Sequence, residues 1–230
     1  MSSVALGETG AAFEAMAAVL YRGQDMQSVL QAIADQSVTL IPGCDHATVA
    51  LLVKGEFSTI AASDEIAATV DRFERELGDG PCVDAIVEEA FQVDTDIRNG
   101  SQWPELAERV LMHTPVRGMI GYRLVINGRK GGALNVFSDT PGALTAASAD
   151  AGAVLAAFAS VAVAAAENHE RAEQLQQGLE SNREIGKAIG LLMAAHKVSA
   201  DEAFQLLRTT SSQMNIKLAK IAARIVAQGA

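Results

Sequence analysis

Three cations near the C-terminal end, Lys217, Lys220 and Arg224, recur at i, i+3 and i+7. On a helix they share one side, more than a right angle from an apolar stripe of Leu218, Ile221, Ala222 and Ile225. Charge arranged this way can neutralise phosphates along a nucleic acid and needs no catalytic group. Its rival meaning is a solvated helix face. Cys44 and Cys82 are the candidate nucleophiles. Neither belongs to a CxxC pair or to a Cys/His set at zinc spacing, and Cys82, after Pro81, reads first as a small buried residue where a loop enters a helix. His46, His113, His169 and His196 are dispersed with no HxxxH, so no metal site is expected. Asp94 and Asp96 share one side of a strand end without a paired base. No P-loop, GxSxG or HExxH occurs. The expectation is a chain with no catalytic residue and no cofactor.

The charge of the chain is divided unevenly. Its 230 residues carry a net −10, yet residues 179–230 hold seven basic and four acidic side chains, so this tail is +3 and the remainder −13. A body this acidic repels phosphate and anionic lipid at long range, which confines any nucleic-acid role to the tail. Two cysteines make no disulfide scaffold and fit a reducing cytosol. The opening MSSVALGETG lacks a basic start followed by an apolar core, so no secretory signal is read. The uncharged run from Ala151 to Ala166 is 16 residues of mostly alanine, short for a membrane span. A cytoplasmic protein without a membrane partner is expected.

The elements that must hold these residues follow from period and punctuation. Residues 11–40 are periodic at helical spacing with a break near Gly23, giving one or two opening helices ended by Pro42-Gly43. HATVALLV (46–53) and EFSTIAA (56–62) read as a hairpin. Ile66, Val70, Phe73 and Leu77 mark a helix over 64–77. FQVDTDI (91–97) is a short strand. VRGMIGYRLVI (116–126) and KGGALNVF (130–137) flank Asn127-Gly128, the residue pair best suited to a two-residue primed turn. Beyond Thr145 no strand pattern remains, and one long helix leaves the sheet domain with Gly178 its weakest point. Along it Leu155, Phe158, Ala162, Ala165, His169 and Ala172 step 3-4-3-4-3, with Leu175 and Leu179 following after a three-residue skip. This stripe is either the seam of a homodimer or a face packed on its own domain. In the last fifty residues, three helices carry Ile185, Ala188, Ile189 and Leu192, then Ala203, Leu206, Leu207 and Thr210 behind a capping box at Ser199 and Glu202, then a helix opening near Asn215.

The run REIGKAIGLLMAAHKVSADEAFQLLRTTSSQMNIKLAKIAARIV (183–226) resembles the ANTAR domain, the RNA-binding module of bacterial transcription antitermination regulators. The GxLM, SxxEAFxLLR and NxKLxxIA pieces carry the likeness, and Ala188, Ala203, Phe204 and Ala222 stand at its signature alanines and aromatic. Many members read AKG, Ala-Arg and NRK where this chain has Ala188-Ile189-Gly190, Ser211-Ser212 and Asn215-Ile216-Lys217. Each departure removes a positive charge, which implies weaker RNA binding or the need for a dimer. Upstream, LGDGPCVDAI (77–86), VDTDI (93–97), QWPELAERV (102–110) and GALNVFSDTPGAL (132–144) are similar to GAF domains that precede ANTAR modules in actinobacterial regulators, except that Gly118 stands where members usually have Ser.

The two resemblances together imply an α+β chain. It has an N-terminal GAF-like antiparallel sheet with covering helices over 10–166, a helical linker over 167–178, and a C-terminal three-helix bundle over 179–228. They imply a signal-responsive regulator of transcription antitermination whose partners are RNA stem-loops, an unidentified small-molecule or protein signal at the GAF-like domain, and a second copy of the chain. Arg183, Lys187, Arg208, Lys217, Lys220 and Arg224 are the expected RNA contacts. Ala188, Ala203, Phe204 and Ala222 hold the helices at contact distance. Three rivals stay open: a DNA-binding transcription factor, a GAF-type reductase of free methionine sulfoxide using Cys82 or Cys44, and a pure dimerising module. Against the first stands the lack of a glycine turn between Thr210 and Asn215.

Overall fold

The computed structural model describes residues 26–53, 55–87 and 91–228, so the expected helix over 11–25 lies outside the described residues. The chain divides into two units, Met1–Ala166 and Glu167–Ala230.

The first unit is built on a sheet of β1 (His46–Val53), β2 (Glu56–Ala62), β3 (Phe91–Asp94), β4 (Gly118–Ile126) and β5 (Arg129–Ser138). Its order is β2-β1-β5-β4-β3, antiparallel throughout. The β4–β5 turn is the primed type read from Asn127-Gly128, since both residues take positive φ (49° and 75°). Side-chain alternation sends Val49, Leu51, Ile120, Leu124, Leu134 and Val136 to one face. There they meet Leu30 and Ile33 of α1 (Met26–Leu40) and Leu155, Ala159 and Ala162 of α5 (Ala146–His196). Met119 and Phe137 point the other way, onto Val70 and Phe73 of α2 (Glu65–Leu77) and Leu106 and Val110 of α4 (Pro104–His113). Helices cover both faces, which is why the central strands read as nearly unbroken apolar runs rather than alternating ones.

Two helices on that second face were not placed by sequence period: α3 (Pro81–Val87) and α4, which Pro104 opens at its first position. Trp103, just before it, is buried, and its indole N–H donates to Asp84 Oδ2 at 2.7 Å. Gly121 of β4 admits α3 to the sheet, since a Cβ there would lie 2.4 Å from Pro81 O.

Asp64 ties the hairpin to α2. Its carboxylate accepts the Ala67 N–H at 2.9 Å as N-cap and meets His46 Nδ1 at 2.6 Å, while His46 Nε2 lies 3.2 Å from Asp139 Oδ1. Burial alone would raise this carboxyl, but the bonds from His46 and Ala67 outweigh it and hold it below its ordinary 3.8. The folded value lies below the unfolded one. The stabilisation is therefore present above pH 3.8 and is lost as pH falls through the folded value. Asp64→Ala is expected to lose about 1 kcal/mol at neutral pH, the usual worth of an N-cap. Urea unfolding at a series of pH values should show a shallower acid limb for the variant; an unchanged limb would remove Asp64 from acid stability.

In the second unit the remainder of α5 joins α6 (Ala200–Met214) and α7 (Leu218–Gln228) around Ala188, Leu207, Ile221 and Ala222. Ser199 and Glu202 form the capping box at the start of α6, with Ser199 N–H donating to Glu202 Oε2 at 2.8 Å. One long helix carries the expected helical linker and continues through Gly178 into the first bundle helix. Other details correct the sequence reading. Leu206, read as core, is 46 % exposed, because Ala203 and Leu207 already fill the inward face of α6. The third helix starts at Leu218, not near Asn215, which instead ends α6 in the left-handed region at φ 50°. Leu155 and Ala162 are consumed by the first unit's core and cannot be a seam between two chains. By length and composition α5 is apolar enough to cross a membrane; its buried Leu155, Ala156, Ala159, Ala162 and Val163 pack in that same core.

Candidate nucleic-acid interface and buried polar site

The six expected RNA contacts, Arg183, Lys187, Arg208, Lys217, Lys220 and Arg224, are all exposed. Five of them fall on three helices, and Lys217 stands just before the last. Arg183 and Lys187 lie one turn apart on α5, where Lys187 Nζ reaches Glu184 Oε1 at 2.6 Å, and Arg208 is the lone cation of α6. Lys217 immediately precedes α7 and Lys220 and Arg224 stand on it, all three exposed while Ile221 and Ala222 are buried.

The two ends of the short helices differ in a way that bears on binding. Acidic and acceptor groups close the start of α6, as helix N-termini prefer. At the start of α7 the Lys217 carbonyl accepts the first backbone bonds, from Lys220 N–H at 2.8 Å and Ile221 N–H at 3.3 Å, and the first turn holds no acid. Two ammonium groups thus stand at the positive end of a helix dipole, an arrangement that costs stability unless an anion joins them.

Of the four signature positions, Ala188, Ala203 and Ala222 are fully buried, whereas Phe204 is 37 % exposed. Holding the helices together falls to the alanines. The charge-removing departures have structural work of their own: Ile189 and Ile216 pack against the core, and Ser211 Oγ donates to Ile216 O at 2.6 Å across the turn. That turn is the one whose missing glycine counted against a DNA-binding reading. Asn215 supplies the left-handed residue instead, as Asn does more readily than other side chains. At Gly118 of β4 a Cβ would sit 3.2 Å from Thr95 O and 3.3 Å from Leu144, so the serine of other members needs a small local shift.

A second constellation lies under the sheet of the first unit. Asp71 accepts from Thr48 Oγ1 at 3.1 Å, from Asn135 Nδ2 at 2.8 Å and from Thr59 Oγ1. Glu74 Oε1 accepts the Cys82 N–H at 2.8 Å. Glu74 Oε2 and Asn135 Oδ1 are buried with no hydrogen-bond partner among the described residues. Gly80 makes room, for at φ 141° its missing Cβ would lie 2.4 Å from Glu74 Oε1. Burial raises both carboxyls, Glu74 the more so with the Asp71 charge beside it. Burial also drives the Cys82 thiol well above its ordinary value, reinforced by Glu74 and Asp71. Cys44, in the opposite core, is pushed up to about 12 by burial and by Asp45. Both cysteines are free, and neither is a ready thiolate.

Sequence spacing gave no sign of this group. Asp71 and Glu74 each follow a residue of the apolar stripe of α2, and nothing local says that they turn inward. By contrast Asp94 and Asp96 resolve into turn chemistry: Asp94 Oδ1 accepts the Asp96 N–H, and Asp96 pairs with Arg117 at 2.7 Å, which holds its carboxyl low. An open groove of about 600 Å³ on the other face is lined by Phe91, Tyr122, Arg123, Val125, Asp150 and Ser160, among others.

Comparison with known proteins places both units. A GAF domain family model matches residues 23–164, and an ANTAR domain model matches residues 173–226. Solved structures resemble the fold at low identity. A domain of a putative two-component sensor histidine kinase from Sinorhizobium meliloti matches at 14 % identity and TM-score 0.52, covering 67 % of this chain and 99 % of that one. The type II free methionine-R-sulfoxide reductase of Thermoplasma acidophilum matches at 19 % and 0.50, covering 60 % and 92 %. The phytochrome photosensory core module of Stigmatella aurantiaca matches at 16 % and 0.56, covering 88 % of this chain and 44 % of that one. No curated protein sequence matches the chain. The chain belongs to the GAF domain family and carries an ANTAR domain at its C-terminal end.

Proposed function

We propose that the protein is a cytoplasmic, non-enzymatic regulator in which the GAF domain receives a signal and the ANTAR domain binds stem-loops of nascent RNA, favouring an antiterminator over a terminator hairpin. The observation that carries this reading is the start of α7. Lys217 and Lys220 crowd the positive end of a helix with no acid to offset them, while Arg224 extends the same outward face. A phosphate there gains both the side-chain charge and the helix dipole. Looped bases, with their edges exposed, supply the sequence-readable part. The raised thiols of Cys44 and Cys82 weigh against the reductase rival, whose nucleophile must ionise.

A dimer doubles this basic surface, and α5 offers a seam for one. Val154, Phe158, Val161, Ala165, Asn168, Ala172, Leu175 and Leu179 step 4-3-4-3-4-3-4 with no skip, taking Val154, Val161 and Asn168 in place of Leu155, Ala162 and His169, of which the first unit buries Leu155 and Ala162. Val154, Val161, Leu175 and Leu179 are exposed apolar side chains. A 3-4 repeat of that kind is self-complementary in a two-stranded coiled coil.

The test compares full-length protein on a tandem-hairpin RNA and on duplex DNA of equal length at matched salt. The expected result is retention of the RNA, weakening steeply as salt rises, with DNA bound less tightly. Equal or tighter binding of the duplex would move the protein to the DNA-binding rival, now that Asn215 provides the turn such a module needs.

A further inference from the structure

We propose that Asp71, Glu74 and Cys82 form a binding site for one divalent transition-metal ion of the zinc or ferrous type, held between α2, α3 and the sheet of the GAF domain. One ligand atom from each of these three buried residues lies within 4.8 Å of the other two. Two donors about 2.0–2.3 Å from a shared ion stand at most about 4.6 Å apart, so small side-chain adjustments close the set. The donors themselves exclude the hard cations: a sulfur beside two carboxylates selects zinc or iron over magnesium or calcium.

Two features point to an ion rather than to protons alone. Among the described residues the buried Glu74 Oε2 has no partner, so a proton placed on it would have no acceptor to face. Asn135, which is not one of the three ligands, donates to Asp71 through Nδ2 and hydrogen-bonds the Cys82 side chain, and its buried Oδ1 beside the same group has no partner among the described residues. A native fold seldom leaves two such atoms bare at one spot. A cavity of about 10 Å³ opens among Ala50, Phe57, Asp71, Glu74, Arg75 and Cys82, room for one water-sized fourth ligand. Two carboxylates and a thiolate bring three negative charges to the ion's two positive ones, and the Arg75 guanidinium, whose charge acts on Asp71, balances the remainder. On binding, the Cys82 S–H bond breaks, the sulfur lone pair bonds the metal, and the proton, with any on the carboxyls, passes to buffer. The site does not depend on whether the ANTAR domain binds RNA.

The experiment titrates metal-free, full-length protein with Co²⁺, then competes with Zn²⁺. Expected is one equivalent of bound cobalt with a thiolate-to-cobalt absorption band that zinc abolishes. Cys44→Ser should keep the band and Cys82→Ser should lose it, while Glu74→Gln should weaken binding at least tenfold. Should Cys82→Ser fail to fold, alkylation of the wild type reads the same point: zinc must protect Cys82 and leave the rate at Cys44 unchanged. Absence of stoichiometric cobalt, a band that survives Cys82→Ser, or no zinc protection of Cys82 would each overturn the proposal.

Discussion

Full-length protein carrying Lys217→Glu together with Lys220→Glu is expected to lose retention of hairpin RNA while becoming no less stable. Each lysine that leaves a phosphate lowers the slope of log affinity against log salt by about one, so the pair removes about two per chain. Reversing the sign adds repulsion, and the loss at moderate salt is on the order of a hundredfold or more. Stability should move the other way. Both residues lie at the positive end of α7, outside the buried Ile221 and Ala222, and an acid there gains roughly 0.3–1 kcal/mol from the dipole that a lysine forfeits. Gel retardation and thermal unfolding on the same preparations check both parts. Unchanged RNA affinity in a folded variant would return the stripe to a solvated helix face.

Val161→Glu with Leu175→Glu is expected to convert a dimer to a monomer without unfolding either unit. The two side chains are 66 % and 65 % exposed, so neither supports its own chain's core. In a paired helix each would bury apolar surface worth about 1.5–3 kcal/mol, and two chains contribute four such side chains. Their loss, with four carboxylates facing one another across the seam, leaves no dimer at micromolar concentration. Sedimentation velocity reads the outcome, and RNA affinity should fall with it because the doubled basic surface is gone. A wild-type protein that sediments as a monomer at tens of micromolar would discard the seam.

The seam also shows where linear reasoning reaches its limit. The 3-4 spacings beginning at Leu155 and at Val154 share Phe158, Ala165, Ala172, Leu175 and Leu179, and they part only where Leu155, Ala162 and His169 give way to Val154, Val161 and Asn168, each one residue and about 100° around the helix from its counterpart. The first opens on leucine, the larger apolar anchor. The sheet decides otherwise by burying Leu155 and Ala162 and leaving Val154 and Val161 outside. Leu206 and Asn215 repeat the lesson at smaller scale. An apolar residue is core only if a neighbour reaches it, and a turn needs left-handed backbone rather than glycine as such.

The elements whose cause is local were legible in the chain by itself. Asn127-Gly128 imposes its turn through positive φ, Ser199 and Glu202 close a helix within one turn, and the strand runs at 46–53 and 56–62 lie where their period and turn residues put them. The outward cations and the buried alanines of the C-terminal helices follow from the 3.6-residue period, and the two family likenesses rest on contiguous motifs. Packing between distant segments decided the rest. Asp71 and Glu74 on α2 meet Cys82 on α3, Thr48 on β1 and Asn135 on β5 only once helices close over the sheet. No spacing encodes that meeting, because burial, and with it the raised pKa values of the group, belongs to the assembled interior and not to any one stretch of chain.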